Sequence, residues 1–250
     1  MKRIFLLGML CAVTLCASAT NSYVKPDGND SNDGKSWATA KKTISKGLSA
    51  STSGDTVFVA AGTYNERVSL KDGINILGGY NAATGERDID LYETILDGSN
   101  LGKYFLYKND TPPTKHILVE GLTIQNGINA ASGTTALYWR GNMTLNRCHI
   151  LNCRTSYTGD AAGAIYLTQG SATVQAVISN CVIELCTGNK SGVVYNNGGL
   201  IENCIFRGCT TDRAIVRNYS TTSVMRNCLL HNNTITGASS KGAIENNGEV

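Results

Sequence analysis

Two cysteines five residues apart recur along the C-terminal half of the chain, and this recurrence limits the fold more than any other feature. "NRCHILNC" carries Cys148 and Cys153, "SNCVIELC" carries Cys181 and Cys186, and "ENCIFRGC" carries Cys204 and Cys209. "RNCLLHNN" keeps Cys228 and has Asn233 in place of the second cysteine, while "EGLTIQNG" has Leu122 and Gly127 at the two positions. The first positions are 26, 33, 23 and 24 residues apart. Repetition at this period indicates a solenoid, in which each unit buries its apolar face only against its neighbours.

The faces of each unit follow from spacing. Leu122, Cys148, Cys181, Cys204 and Cys228 precede Ile124, Ile150, Ile183, Phe206 and Leu230 by two residues, so both sets lie on one strand face and point inward. Val119, Leu145, Ile178, Ile201 and Met225 sit three residues ahead of the first set. That odd step breaks strand parity and demands a bend. Asn180, Asn203 and Asn227 occupy it, and asparagine tolerates the left-handed conformation of such a corner. Stacking would set these side chains one above another as a ladder. A third strand recurs as "TALYW", "GAIYL", "GVVYN", "RAIVR" and "GAIEN", with Leu137, Ile165, Val194, Ile215 and Ile244 as its inward row. Three short strands and about two dozen residues per unit describe a right-handed parallel β-helix, an all-β fold.

In such a solenoid the cysteines stack on like cysteines. Free thiols pack as small hydrophobes. Disulfides between rungs remain open, although parallel Cβ vectors fit that bond poorly. A zinc site wants closer ligand spacing and converging partners.

Residues 1–19 read as an export leader: "MKR", then an apolar run too short to span a membrane comfortably, then "ASA" before Thr20. Without Lys2 and Arg3 the chain has 20 basic and 19 acidic residues and no basic run, which argues against nucleic acid as a partner. No later stretch is apolar for long enough to form a transmembrane segment. The expected location is extracellular or on the outer cell surface, with the periplasm as an alternative. Export permits disulfides, and the seven remaining cysteines are an odd number that one chain cannot fully pair.

Residues 20–100 are expected to form an N-terminal cap and the first coil or coils. Ala40, Ile44 and Leu48 have helical spacing within 38–51, and "TVFVAAGTY", "VSLKDGINILGGY" and "TILDG" read as strands between glycine turns. A helix here would shield the open end of the core. Residues 101–250 then carry about five coils, with an end expected to be open or truncated.

The stretch "YVKPDGNDSNDGKSWATAKKTISKGL…GDTVFVAAGTYNE…GGYN" resembles the start of secreted bacterial β-helix proteins of the pectate-lyase-like superfamily. The later coils are also similar to the repeats of polymorphic outer membrane proteins, which pair F-x-x-N with G-G-A-I. Here those elements appear as Phe206-x-x-Cys209 and Leu230-x-x-Asn233, with "GAI" at 163–165 and 242–244. The first resemblance implies polysaccharide lyases that combine calcium-binding carboxylates with a basic residue, or glycoside hydrolases with two or three carboxylates. Fold alone does not confer either activity.

The repeat positions offer no carboxylate ladder. Glu184 aligns with Leu151, Arg207 and His231, and Glu202 aligns with Asn146, Ser179 and Arg226. Catalytic residues are therefore left unassigned. "DGNDSNDG" gives Asp27, Asn29, Asp30 and Asp33 as a candidate calcium loop, the only cofactor expected. It fails as an EF-hand, because the twelfth position is Ala40. His116, His149 and His231 show no ligand spacing. Tyr138, Tyr166 and Tyr195 share one repeat position next to the inward row, continued by Val216 and Glu245, and should form an exposed strip. With Trp139 and the loops 154–162 and 168–176, they form the candidate surface for stacking on sugar rings. The leading expectation is a non-catalytic protein that binds a glycan or another surface. A polysaccharide lyase or glycosidase and a structural scaffold are the alternatives.

Overall fold

The structure is a computed structural model. It describes residues 20–99, 101–102, 105–108, 111–129, 133–134, 136–155, 157, 161–170, 175–237 and 242–247. The expected leader lies outside the described residues, as do residues 156, 158–160 and 171–174 of the two candidate loops.

Every strand pair in the three main sheets is parallel. The first sheet holds Ser22–Val24, Thr56–Ala60, Asn75–Tyr80, Ile117–Glu120, Met143–Asn146, Val177–Ser179, Leu200–Glu202 and Val224–Arg226 in that order. The second holds Gly62–Tyr64, Thr94–Asp97, Thr123–Gln125, His149–Leu151, Val182–Glu184, Ile205–Arg207 and Leu229–His231. The third holds Val68–Ser69, Leu106–Tyr107, Leu137–Arg140, Ile165–Thr168, Val194–Asn197, Val216–Asn218 and Ile244–Asn246. The chain visits the three sheets in turn, one coil after another, which is a parallel β-helix with coils ~4.8 Å apart. Residues 56–107 already form two coils, so the cap proper is only the first strand and one helix.

The inward rows fall where parity places them. Val119, Leu145, Ile178 and Ile201 are in register and buried, and so are Ile124, Ile150, Ile183 and Phe206. Each such side chain contributes about 1.5–3 kcal/mol on burial. In the third sheet the expected row is corrected at one coil. Val216, not Ile215, pairs with Val194 and Ile244. The carbonyl of Ile215 instead accepts the amides of Val193 and Val194, as that of Ala164 accepts Ala136 and Leu137 two sheet positions earlier. This coil reaches the sheet one residue later than the sequence alignment implies.

The last five strands of the second sheet, from Thr123–Gln125 to Leu229–His231, are each bracketed by two left-handed corners. Gly121, Arg147, Asn180, Asn203 and Asn227 form one, with φ of +71°, +48°, +53°, +53° and +52°. Asn126, Asn152, Leu185, Gly208 and Asn232 form the other. The first corner was legible. The second is marked by an equal step of three, from Ile183 to Cys186. Among the described residues Asn180, Asn203 and Asn227 of the first corner show no mutual bond, and the Asn180 amide donates to Asn146 Oδ1 at 2.8 Å; at the second corner Asn152 donates to Asn126 Oδ1 at 2.9 Å. A true amide ladder runs inside the third sheet, where Asn196 donates to Asn218 at 3.0 Å and Asn218 to Asn246 at 2.8 Å.

The thiols stack behind the corners. Cys148, Cys153, Cys181, Cys186, Cys204, Cys209 and Cys228 are all free, and only Cys228 is not fully buried. Cys181 Sγ donates to the Ser179 carbonyl at 3.1 Å and Cys186 Sγ to the Glu184 carbonyl at 3.3 Å. Burial pushes both thiols well above the ordinary value, so they stay protonated and pack as apolar groups. Asn233 replaces the missing thiol by donating to the Phe206 carbonyl and accepting from the Cys209 amide.

The helix spans Ile44–Ala50, shorter than the expected 38–51. Thr39 lies in a turn closed on Ser36, and Lys41 pairs with the first strand instead, exchanging backbone hydrogen bonds with Tyr23 and Lys25. Thr43 caps the helix, and the Glu66 carboxylate accepts the Ile44 and Ser45 amides at 2.7 and 3.0 Å. Gly47 lets the helix lie on the first strands, since a Cβ there would stand 2.7 Å from a Val24 methyl.

Candidate functional site

The polar loop 27–33 does not gather its oxygens around one point. Asp30 Oδ1 accepts the amides of Lys42 and Thr43 at 2.9 and 3.0 Å. Asn29 Oδ1 accepts the Ser31 amide, Asp33 Oδ1 accepts the Lys35 amide, and Asp27 pairs with Lys25 at 3.6 Å. The Lys41 ammonium donates to the carbonyls of Asp30 and Asn32. The loop thus folds around a tethered cation, and a calcium ion there would have to displace it. Among the described residues, no three His, Cys, Asp or Glu side chains converge as a metal site.

The tyrosines do align, but not as an open platform. Register sets Tyr107, Tyr138, Tyr166, Tyr195, Arg217 and Glu245 in one outward row, so Arg217 takes the place expected of Val216. Tyr138 and Tyr166 stack at 5.4 Å between centroids, and Tyr166 and Tyr195 at 4.9 Å. Arg67 lies over Tyr107 at 5.4 Å and Arg217 over Tyr195 at 5.6 Å. The rings therefore occupy one another's faces, with guanidinium groups at both ends, and they present edges and hydroxyls outward. Burial raises the Tyr166 hydroxyl above its ordinary pKa. Beyond this column, Glu245 is buried and clamped by Arg213 through two hydrogen bonds of 2.5 and 2.6 Å. Trp139 is corrected outright. It is fully buried in the core, because Leu137 and Trp139 are two residues apart and share the inward face. Its indole N–H finds no partner among the described residues.

A concavity lies on the second sheet, a different face. A groove of about 820 Å³ is walled by Ile89, Asp90 and Glu93 and floored by Thr123, His149 and Val182, with Arg147, Asn180 and Arg207 along its rim. The wall loop seats against the corner because residue 121 is glycine: a Cβ there would come within 2.6 Å of an Ile89 methyl. Glu93 accepts the Thr123 hydroxyl at 2.8 Å. Glu184 Oε2 is shared by Arg207 at 2.8 Å and His149 Nε2 at 2.9 Å. The Arg207 guanidinium is the main reason the Glu184 carboxyl sits below its usual range, and His149 adds to it. Arg147 projects from its left-handed corner, exposed, with no side-chain hydrogen bond among the described residues.

A polar relay backs the rim. Arg87 donates to Glu120 Oε1 at 2.8 Å, Asn146 donates to Glu120 Oε2 at 2.7 Å, and Asn180 and Ser179 donate to Asn146 Oδ1. Burial would raise the Glu120 carboxyl, but the hydrogen bonds from Asn146 and Arg87 outweigh it and hold the pKa low. Sequence reading missed the groove because its residues come from five different coils and the wall loop. The alignment of Glu184 with Arg207 was legible and is confirmed by register. The contact of His149 with Glu184 is diagonal between coils and was not.

No helix among the described residues is long and apolar enough to cross a membrane. A family model described as right-handed beta helix region matches residues 93–248. No curated protein matches the chain. A solved rhamnogalacturonan lyase is similar at 14% identity and a TM-score of 0.34, over 87% of this chain and 63% of that one. The chain thus spans less than two thirds of that lyase's length. With its model covering most of the coils, the chain belongs to the right-handed β-helix family.

Proposed function

We propose that this is an exported β-helix protein that binds an extended glycan in the groove of the second sheet. The groove itself carries the reading. It is open, runs across successive coils, and offers Arg147 and His149 beside the carboxylates of Asp90 and Glu93. A ligand lying along the helix axis would meet one rung of side chains per coil, ~4.8 Å apart. Charged and hydroxyl-bearing rungs suit a sugar chain better than an apolar ligand. The column of Tyr138, Tyr166 and Tyr195 is the second candidate surface, acting through its hydroxyl edges.

A cleaving enzyme is the second reading, favoured by His149 on the groove floor, whose imidazole the neighbouring Glu184 carboxylate orients.

Affinity electrophoresis against acidic and neutral polysaccharides tests the proposal, with unsaturated products and reducing ends followed in parallel. Arg147→Gln is expected to weaken retention at least fivefold, and Tyr166→Phe to leave it within twofold. The opposite ranking would move the site to the tyrosine column. Product formation that His149→Ala abolishes would replace binding with catalysis.

A further inference from the structure

The outward row that floors the groove changes character along the axis. Thr123, His149, Val182, Ile205 and Leu229 follow one another in register, one per coil. The first two are polar and the last three aliphatic. Val182 is part of the groove floor. Ile205 is 36% exposed and Leu229 58% exposed. Single exposed aliphatics need no explanation, but three consecutive rungs on one face form a stripe. The stripe continues the groove without a break. Beside it run Glu184, Arg207 and His231 in register, so its flank is polar while its centre is not.

Resting on the groove reading above, we infer that the glycan carries apolar substituents, O-acyl or methyl groups, on the residues that lie over Val182, Ile205 and Leu229. The polar rungs Thr123 and His149, with Arg147, would take hydroxylated or acidic residues of the same polymer. A coil rise of ~4.8 Å is close to the length of one pyranose ring along an extended chain, so successive sugars meet successive rungs. A bare hydroxylated sugar over the stripe would lose hydration without gaining hydrogen bonds. A methyl or acetyl group there would bury against aliphatic surface instead. The surface therefore prefers one substitution pattern over another on the same backbone.

Two matched pairs of polymers test this: polygalacturonate and xylan, each with and without O-acetyl groups, against wild type, Ile205→Thr/Leu229→Thr and Arg147→Gln. Both threonines suit an outward strand position, and thermal melts check folding. Wild type should retain at least one acetylated polymer fivefold or more above its unacetylated form, and the double threonine variant should lose that preference while still binding. If wild type shows no preference, or the double variant keeps it, while Arg147→Gln weakens retention, the substituent inference falls and the groove reading stands. If no polymer is retained, or Arg147→Gln changes nothing, both fall.

Discussion

Leu185 holds a backbone conformation that its side chain opposes. It sits at φ +53°, where the equivalent residues of neighbouring coils are Asn152, Gly208 and Asn232. A left-handed L-residue costs roughly 1–2 kcal/mol, less for asparagine. The leucine recovers little by burial, being 55% exposed. Leu185→Asn should therefore stabilise the protein by about 1 kcal/mol. That corresponds to a rise of roughly 2–4 °C in Tm, readable by circular dichroism. A lower Tm would mean that its packing over Gly208 outweighs the strain. The same scale shows where residue-level reading succeeds. Alternation by two found the inward rows, and applied to Trp139, two residues beyond Leu137, it points inward. Setting Trp139 among the ligand contacts overrode that parity, and the fully buried indole restores it.

At the scale of the element, the thiol rows behave as part of the core. Of the seven cysteines among the described residues six are buried, and Cys228 is the exception. A small alkylating reagent at mildly alkaline pH should modify Cys228 first in the native protein and reach the others only on unfolding, as mass spectrometry of intact and denatured samples would record. Prompt native labelling of Cys181 or Cys186 would contradict the packing. The cysteine rows, both inward faces and one corner were legible because they depend only on spacing within a coil. The tyrosine column was legible as a row, but its closure by Arg67 and Arg217 was not. Arg67 belongs to the first coil, which lacks the repeat, and Arg217 entered the row through a one-residue shift. The His149–Glu184 contact and the groove wall were illegible for a related reason: each joins residues of different coils, and only three-dimensional register brings them together.

At the scale of the whole molecule, the carboxyl groups among the described residues whose pKa is displaced are displaced one way. Asp55, Asp72, Asp97, Glu120 and Glu184 all lie below their ordinary values. In the first four, burial works the other way and hydrogen bonds prevail, whereas in Glu184 the bond from Arg207 leads. A carboxyl with a depressed folded pKa adds stability that is complete above its unfolded value and is lost as pH falls through the folded one. Tm should be level from about pH 5 to 7 with respect to these groups and fall below about pH 4. Glu184→Gln should make that acid decline shallower. A Tm that rises toward pH 3 would refute the assignment.

The coil from Cys148 to Cys181 is 33 residues long, against 23 from Cys181 to Cys204, yet the sheets on either side keep their pairing. The surplus falls between the strands of the three main sheets, on either side of Ile165–Thr168, since the pairing within those sheets is unbroken. Length is therefore a property of single coils, not of the molecule. A gene that duplicated a coil, deleted one or lengthened a loop would offer the neighbouring coils the same edge they already meet. The face along the axis could then be rewritten one rung at a time, with the hereditary unit and the structural unit the same size.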